Sequence, residues 1–221
     1  MPESVTHPWL REAPGARRWA HDRWVEVVLS AQRPPLWVVD GVLSSEECDE
    51  LIGLARLRLQ PSETVVEVTG GSQVHVARTS EGMFFQRGEY PVCQRLEQRL
   101  AELMSWPLDH GEGLQVLRYG VGAEYRPHHD YFDPEQAGTD RICQRGGQRV
   151  ATVVVYLNTP ESGGETVFPS AGLSVVPRKG SAVCFVYPSP VPDTLTLHGG
   201  APILAGEKWV ATKWLRQRPF D

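Results

Sequence analysis

The chain has 221 residues, of which 41% are hydrophobic and 22% charged, so it is long enough for one domain with a substantial core. Its formal net charge of −5 disfavours a nucleic-acid partner, which would require a basic face. No stretch approaches the roughly 20 apolar residues of a membrane-spanning helix, so no membrane segment is predicted.

The N-terminal residues and the cysteines bear on the cellular compartment. The first residues, MPESVTHPWLREAPGARRW, lack the continuous apolar region of a signal peptide. The four cysteines form no C-x-x-C pair, and disulfides need not be assumed. The sequence therefore predicts a cytoplasmic location, in a reducing compartment.

The segment 16–31 predicts a first amphipathic helix that packs against the core. Apolar residues recur there at helical spacing, with charged residues between them. These apolar residues are Ala20, Trp24, Val27, Val28 and Ala31.

A second helix begins after Ser44, which forms a capping box with Glu47 and precedes an apolar face. That face consists of Cys48, Leu51, Ile52, Ala55 and Leu59, and Pro61 ends the helix. Another amphipathic helix spans about 91–104. Between the two helices, the runs TVVEV and QVHVAR flank TGGS and predict a β-hairpin.

After Gly113 the sequence changes to short β-rich runs separated by glycine and proline. The runs are LQVLRY, RVATVVVYL, LSVV, SAVCFVY, DTLTLH and KWVATKWL. Helices followed by many strands predict a mainly β fold of the α+β class, a sandwich or jelly roll buttressed by helices. We expect one domain over 1–221, with a helical and hairpin support in 1–112 and the jelly-roll core in 113–215. Residues 132–148 predict a long polar loop of the kind that often forms a lid.

The stretch YRPHHDYF, residues 125–132, contains a candidate metal site. In an extended strand His128 and Asp130 lie on one face, and His129 points to the other. One imidazole and one carboxylate are two thirds of a facial triad, and a second histidine from elsewhere would complete a set that suits Fe(II). The H-x-D pattern alone is weak evidence, because a polar strand can carry it by chance.

The stretch LHGGAPILAGEKWVATKWL supplies both a second histidine and a rare lysine. His198 ends one strand, and Lys208, one of only three lysines, begins another. A hairpin would set Lys208 on the strand beside His198. A buried ammonium requires an anion, and a dicarboxylate bound to the metal by its other end would supply one.

These motifs together resemble the Fe(II)/2-oxoglutarate-dependent dioxygenases, specifically their prolyl 4-hydroxylase-like branch. QVLRYGVGAEYRPHHDYF, SGGETVFP and LHGGAPILAGEKWVATKW occur in the family's order and spacing, over about residues 113–215. The stretch VARTSEGMFF, residues 76–85, resembles the family's substrate loop more loosely. The resemblance implies a double-stranded β-helix, or jelly-roll, core flanked by N-terminal α-helices.

The resemblance also implies roles for individual residues. The catalytic iron ligands would be His128, Asp130 and His198. Lys208 would bind the distal carboxylate of 2-oxoglutarate, with hydroxyl hydrogen bonds from Tyr119 and Thr166. The implied substrate-binding residues are Arg149, Trp214 and Tyr125. From the sequence alone, Arg149 is equally a surface or ion-paired arginine, and Trp214 and Tyr125 are equally packing residues.

The implied reaction is hydroxylation of an unactivated C–H bond with Fe(II), O2 and 2-oxoglutarate, which is converted to succinate and carbon dioxide. Ascorbate is expected as a possible support of the activity. A prolyl residue in a peptide or protein is the expected substrate. The alternatives are a free cyclic amino acid or natural-product intermediate, and a non-catalytic metal-binding jelly-roll module. A zinc hydrolase would need a general base near the metal, a post to which Lys208 is poorly suited. The oligomeric state, monomer or homodimer, is left open.

Overall fold

The computed structural model describes residues 13–61, 63–66, 71–74 and 80–221, with the two short stretches described by their backbone alone. The first half contains the strands β1 (Arg17–Ala20), β2 (Arg23–Gln32), β3 (Pro35–Asp40), β4 (Gln60–Pro61), β5 (Glu63–Val66), β6 (Gly71–Val74) and β7 (Glu81–Phe85), and the helices α1 (Ser45–Arg56) and α2 (Pro91–Met104). The second half contains β8 (Leu114–Tyr119), β9 (Tyr125–His128), α3 (Thr139–Gln144), β10 (Arg149–Tyr156), β11 (Ser162–Gly163), β12 (Thr166–Phe168), β13 (Leu173–Val175), β14 (Ala182–Val186), β15 (His198–Gly200), β16 (Ile203–Ala205) and β17 (Lys208–Arg216).

Two antiparallel sheets form the jelly-roll core, which confirms the predicted fold class. The major sheet has the order β1-β2-β3-β14-β10-β17-β8-β7-β4, and the minor sheet has the order β13-β12-β15-β9. The short strands β11 and β16 pair with each other. Residues of both sheets line one cavity between them, and this cavity holds the candidate site.

The apolar residues form two cores because strand side chains alternate between the two faces of the major sheet. On β14, Val183 and Phe185 belong to the core inside the jelly roll, together with Phe168 of the minor sheet. Cys184, between them, belongs to the other core, which the two long helices cover, for example with Leu96. Each fully buried side chain of this size contributes about 1.5–3 kcal/mol. The helices therefore support the sheet from outside and leave its inner face to the site.

The predicted helix over residues 16–31 is wrong, because the segment forms β1 and β2 instead. Trp19 pairs with Trp24 across the two strands, and their rings contact edge to face at 5.4 Å between centroids. Val25 and Val27 are fully buried, a period of two that fits a strand. Burial of alternate β-branched residues in the core that α2 also lines therefore outweighs the helical spacing. The predicted packing of this segment against the core is nevertheless found.

The two long helices are found where they were predicted. Ser44 Oγ accepts a hydrogen bond from Glu47 N at 3.2 Å, and Glu47 Oε2 accepts one from Ser44 N at 2.9 Å, so the capping box is confirmed. α1 ends at Arg56, before the predicted stop at Pro61. Glu47 also accepts hydrogen bonds from Arg99 of α2 at 2.7 and 2.9 Å, which ties the two helices together. None of the helices in the described residues has both the length and the apolar composition needed to cross a membrane.

Two further segments differ in detail from the expectation. β5 and β6 pair as the predicted hairpin. Residues 67–70 and 75–79, which include the first residues of the stretch 76–85, lie outside the described residues. The predicted loop 132–148 contains the short helix α3. The strands β1 to β4 and β7, which precede residue 112, join the same major sheet as the later strands β8, β10, β14 and β17. The N-terminal support therefore contributes strands to the sheet of the core.

Candidate metal and co-substrate site

His128, Asp130 and His198 come together in the cavity, although the sequence separates them by up to 70 positions. His128 ends β9 and is the cross-strand partner of His198, which begins β15. Asp130 lies two residues beyond β9. Its Oδ1 lies 3.3 Å from His128 Nε2, and its Oδ2 lies 3.4 Å from His198 Nε2. One ligand atom of each residue lies within 4.8 Å of the others, so the three can hold one metal ion.

The pKa shifts of His128 and Asp130 suit the binding of a cation. Burial lowers the pKa of His128, and the neighbouring His198 adds to that effect. Burial raises the pKa of Asp130, but His198 and His128 outweigh it and hold that pKa well below its ordinary value. Neutral imidazoles and an ionised carboxylate are the forms that bind metals.

The imidazole rings are also oriented by the backbone. Nδ1 of His128 lies 2.9 Å from the carbonyl of Arg126, and Nδ1 of His198 lies 3.0 Å from the carbonyl of Thr196. A carbonyl partner fixes the proton on Nδ1 and leaves Nε2 free as a ligand. A buried set of two histidines and one carboxylate with this orientation is typical of a non-haem Fe(II) centre.

Gly199 explains how the two histidine strands come close enough. A Cβ at this position would lie 2.7 Å from the carbonyl oxygen of Tyr125 and 3.1 Å from Pro127 N, distances that a side chain does not tolerate. Tyr125 stacks on the His128 ring at 3.7 Å between centroids and also lines the cavity. The two interpretations of Tyr125, packing and pocket lining, therefore both hold.

His129 lies outside the trio, as strand parity predicted. Its ring stacks on Tyr131 with 4.6 Å between centroids. The ligand atoms that lie within 4.8 Å of one another include one from His128 and none from His129. The two adjacent histidines therefore form a natural pair for mutagenesis.

Lys208 reaches the cavity from the opposite sheet, which corrects the predicted hairpin. It begins β17 of the major sheet and pairs with Tyr119 of β8, whereas His198 belongs to the minor sheet. The reason is that β16 intervenes and pairs with β11, so the chain crosses between sheets before Lys208. Lys208 therefore faces the metal ligands across the cavity.

The ammonium of Lys208 is buried without a carboxylate to pair with it among the described residues. It is 5% exposed and donates to the carbonyl of Gly164 at 2.6 Å. Burial lowers its pKa to about 8, against the attraction of Glu165. On the same strand, the equally buried Lys213 has its own carboxylate, Glu97, at 2.5 Å. A cation that lacks such a partner is ready for an anionic ligand.

Two further hydroxyl residues, predicted as hydrogen-bond donors, surround this lysine. The ring of Tyr119 lies 5.9 Å from Lys208 Nζ. Thr166 Oγ1 accepts a hydrogen bond from Tyr156 OH at 2.7 Å, which leaves the threonine proton free to be donated elsewhere. The sequence analysis did not identify Tyr156. It lies two residues after the cavity-lining Val154 on the same strand, so strand alternation places both side chains on the same face.

Arg149 and Trp214 lie together beside Asp130. The guanidinium of Arg149 binds Glu112 through Nε at 2.8 Å and Nη2 at 3.0 Å, and it stacks over the Trp214 ring at 3.9 Å. Arg149 is therefore a partly buried, ion-paired arginine. Trp214 lines the cavity, and its indole N–H has no hydrogen-bond partner within the described part of the chain. Glu112 was missed, because it lies on a different element from the two arginines it pairs with, Arg149 and Arg216.

Comparisons with known proteins agree with this geometry. Residues 114–216 match the family described as the 2OG-Fe(II) oxygenase superfamily. Prolyl 4-hydroxylase 1 of Arabidopsis thaliana is 42% identical over 227 residues, covering 91% of this chain and 78% of the plant protein. Prolyl 4-hydroxylase 5 of the same plant is 40% identical over 220 residues, covering 90% of this chain and 73% of the plant protein. A viral collagen prolyl hydroxylase from Paramecium Bursaria Chlorella virus-1, solved as a 2-oxoglutarate complex, is 32% identical with a TM-score of 0.64 over 82% of this chain and 95% of the viral chain.

The fold and the donor set thus define a mononuclear non-haem iron oxygenase. The chain belongs to the 2-oxoglutarate- and Fe(II)-dependent oxygenases, within their prolyl 4-hydroxylase-like branch. It is accordingly an enzyme that uses Fe(II), 2-oxoglutarate and O2, as its motifs indicated. The zinc hydrolase and the non-catalytic jelly-roll module are not favoured.

Proposed function

We propose that this enzyme hydroxylates a prolyl residue in a peptide or protein. The observation that carries the proposal is that one cavity contains both the trio His128, Asp130 and His198 and the buried ammonium of Lys208, which has no carboxylate partner among the described residues. The prolyl 4-hydroxylases among the similar proteins support the choice of substrate.

In this proposal the trio holds Fe(II), which supplies the oxidising chemistry when bound. His128 and His198 offer Nε2, and Asp130 offers one carboxylate oxygen. Three ligands from the protein leave the remaining coordination positions for the 2-oxo acid and for O2. The protein orients the reactants and excludes water from the reacting centre.

Lys208 anchors the distal carboxylate of 2-oxoglutarate, assisted by the hydroxyl groups of Thr166 and Tyr119. A charge-assisted hydrogen bond in an apolar cavity is the strongest single contact available to this carboxylate. The hydrogen bond from Tyr156 supports the anchor by fixing the orientation of the Thr166 hydroxyl.

The charge distribution of the cavity favours a peptide over a free amino acid. A free amino acid needs a cation for its own carboxylate, and Arg149 was the expected partner. Its guanidinium is held by Glu112, which also pairs with Arg216, and Lys208 is the one lysine or arginine among the described residues that line the cavity. The proline carboxyl of a peptide is uncharged, and the free indole N–H of Trp214 suits an amide carbonyl.

The proposal is tested by offering the enzyme, with Fe(II) and 2-oxoglutarate, one pool of proline-containing peptides and one pool of free cyclic amino acids. We expect mass spectrometry to show that peptides gain one oxygen atom, dependent on 2-oxoglutarate, and that the second pool is unchanged. Gain confined to the free amino acids would overturn the peptide assignment. Gain in neither pool would overturn the proline assignment as well.

The affinity for 2-oxoglutarate is expected to fall above about pH 8. The ammonium form of Lys208 binds the carboxylate, and its pKa of about 8 in the free protein means that the charge is present below this pH and lost above it. The dissociation constant should therefore be flat at neutral pH and rise by about ten-fold per pH unit above pH 8. Calorimetry of the Mn(II)-loaded protein from pH 6.5 to pH 9.5 measures this profile.

The control for this profile is Lys208→Met, in which the inflection should disappear. A wild-type dissociation constant that stays constant through pH 9 would contradict the assignment of Lys208 as the anchor.

We also propose that the enzyme works in the cytoplasm. All four cysteines (Cys48, Cys93, Cys143 and Cys184) are free thiols, which is typical of a reducing compartment. Ascorbate is proposed as a reductant that keeps the iron ferrous between turnovers.

A further inference from the structure

Two buried hydroxyl groups contact one particular oxygen of Asp130. Thr152 Oγ1 donates to Asp130 Oδ2 at 2.7 Å, and Tyr187 OH lies 3.3 Å from the same oxygen and within hydrogen-bond distance of Thr152 Oγ1. Thr152 is fully buried and Tyr187 is 5% exposed. Thr152 belongs to β10, and Tyr187 follows β14, so two neighbouring strands of the major sheet supply the pair.

The number of protons sets the direction of this chain of hydrogen bonds. Each hydroxyl can donate one proton, and the ionised Asp130 can only accept. Because Thr152 donates to Asp130, its oxygen is free to accept from Tyr187. Tyr187 can give its one proton to Thr152 Oγ1 or directly to Asp130 Oδ2, so in both cases the hydrogen bonds end on Oδ2.

The other oxygen of Asp130 is left for the metal. Each oxygen lies beside one histidine, Oδ1 at 3.3 Å from His128 Nε2 and Oδ2 at 3.4 Å from His198 Nε2, but no hydroxyl group of the described residues donates to Oδ1. A carboxylate oxygen that accepts hydrogen bonds carries less free charge than its partner, so Oδ1 is the better ligand. Carboxylates bind metals through either one oxygen or two, and the second mode consumes a further coordination position.

We propose that Thr152 and Tyr187 are positioning residues that hold Asp130 to coordination through Oδ1 alone, and thereby keep the other metal positions open for 2-oxoglutarate and O2. This inference rests on the proposed function of the trio. Neither hydroxyl residue is among those that line the cavity, and the pair acts through the orientation of Asp130. Partners of this kind around metal ligands alter metal affinity or activity by about 10- to 100-fold.

The test measures the open positions directly, without turnover. Mn(II) is bound to the apo protein, and water-proton relaxation counts the exchangeable waters on the metal. The variants are Thr152→Val and Tyr187→Phe, which remove one hydroxyl each, and Thr152→Ser, which keeps the donor. Tyr90→Phe, at the start of α2, is the control for loss of a tyrosine hydroxyl elsewhere.

The expected result is about three waters in the wild type, Thr152→Ser and Tyr90→Phe, and about two in Thr152→Val, because the freed Oδ2 takes one position. By calorimetry, 2-oxoglutarate should bind the Mn(II)-loaded Thr152→Val protein at least about ten-fold more weakly than the wild type. Tyr187→Phe should shift both quantities in the same direction by less, since Thr152 keeps its own hydrogen bond to Asp130.

The inference is overturned, and the proposed metal site is not, if Thr152→Val and Tyr187→Phe both keep the wild-type number of waters and bind 2-oxoglutarate with an affinity within two-fold of the wild type. If Thr152→Val does not fold, an unchanged Tyr187→Phe protein overturns it. A wild type that binds no Mn(II), or binds it equally well after Asp130→Ala, overturns the proposed metal site as well. The two failures are therefore distinguishable.

Discussion

Replacement of His128 by alanine is expected to lower the conversion of 2-oxoglutarate to succinate by at least about 100-fold. The estimate is a lower bound, because even residues that only support metal ligands alter affinity or activity by 10- to 100-fold. His128 offers Nε2 beside Asp130 Oδ1, and its loss leaves two of the three ligands. Succinate formation with saturating Fe(II) and a proline-containing peptide measures the effect.

The control is the adjacent residue. His129→Ala removes an equally large imidazole one position along the chain, from a ring that stacks on Tyr131 and lies outside the trio. Its activity should stay within about five-fold of the wild type. Equal losses in the two variants would contradict the assignment of His128, since a general disturbance of the stretch would then explain both.

The second large effect is expected at the other end of the cavity. Lys208→Met should weaken the binding of 2-oxoglutarate by about 10- to 150-fold, because a hydrogen bond to a charged group contributes about 1.5–3 kcal/mol. Methionine fills much of the same space without the charge. Calorimetry of the Mn(II)-loaded variant at pH 7 measures the change, and a dissociation constant within three-fold of the wild type would contradict the anchor.

Lys213→Met, on the same strand, separates binding from stability. Lys213 pairs with Glu97, and breaking a buried pair is expected to cost about 3–5 kcal/mol of the free energy of unfolding. The affinity of the Lys213→Met variant for 2-oxoglutarate should equal that of the wild type. Lys208→Met should leave the stability of the apo protein unchanged or higher, because it removes a buried charge that no carboxylate of the described residues pairs with. Denaturant unfolding of both variants measures whether Lys213→Met lowers the free energy of unfolding while Lys208→Met does not.

Local patterns in the sequence predicted the parts of the fold that local forces determine. The capping box of Ser44 and Glu47 and the apolar face that follows it depend on residues within one helix, so the sequence displays them. The segment 16–31 carries both periods, since Val25 and Val27 alternate while Ala20, Trp24 and Val27 recur at helical spacing. Only the neighbouring strand β3 and the helix α2 decide between them, and both lie outside the segment.

The site shows the same division. His128, Asp130, His198 and Lys208 were found because they lie in motifs with characteristic spacing, and the fold brings them to one cavity. The sheet that carries Lys208 was assigned wrongly, because the chain crosses between sheets through β16. The hydroxyl groups of Thr152 and Tyr187 were missed, because their contact with Asp130 joins three elements and leaves no pattern in any one of them.

A crystal structure of the wild type with Mn(II) and 2-oxoglutarate tests the central claim most directly. We expect one anomalous peak within about 2.0–2.3 Å of His128 Nε2, His198 Nε2 and a single oxygen of Asp130. The 2-oxo acid should chelate that ion and place its distal carboxylate on Lys208 Nζ. A metal bound elsewhere, or a 2-oxoglutarate molecule whose distal carboxylate does not contact Lys208, would contradict this account.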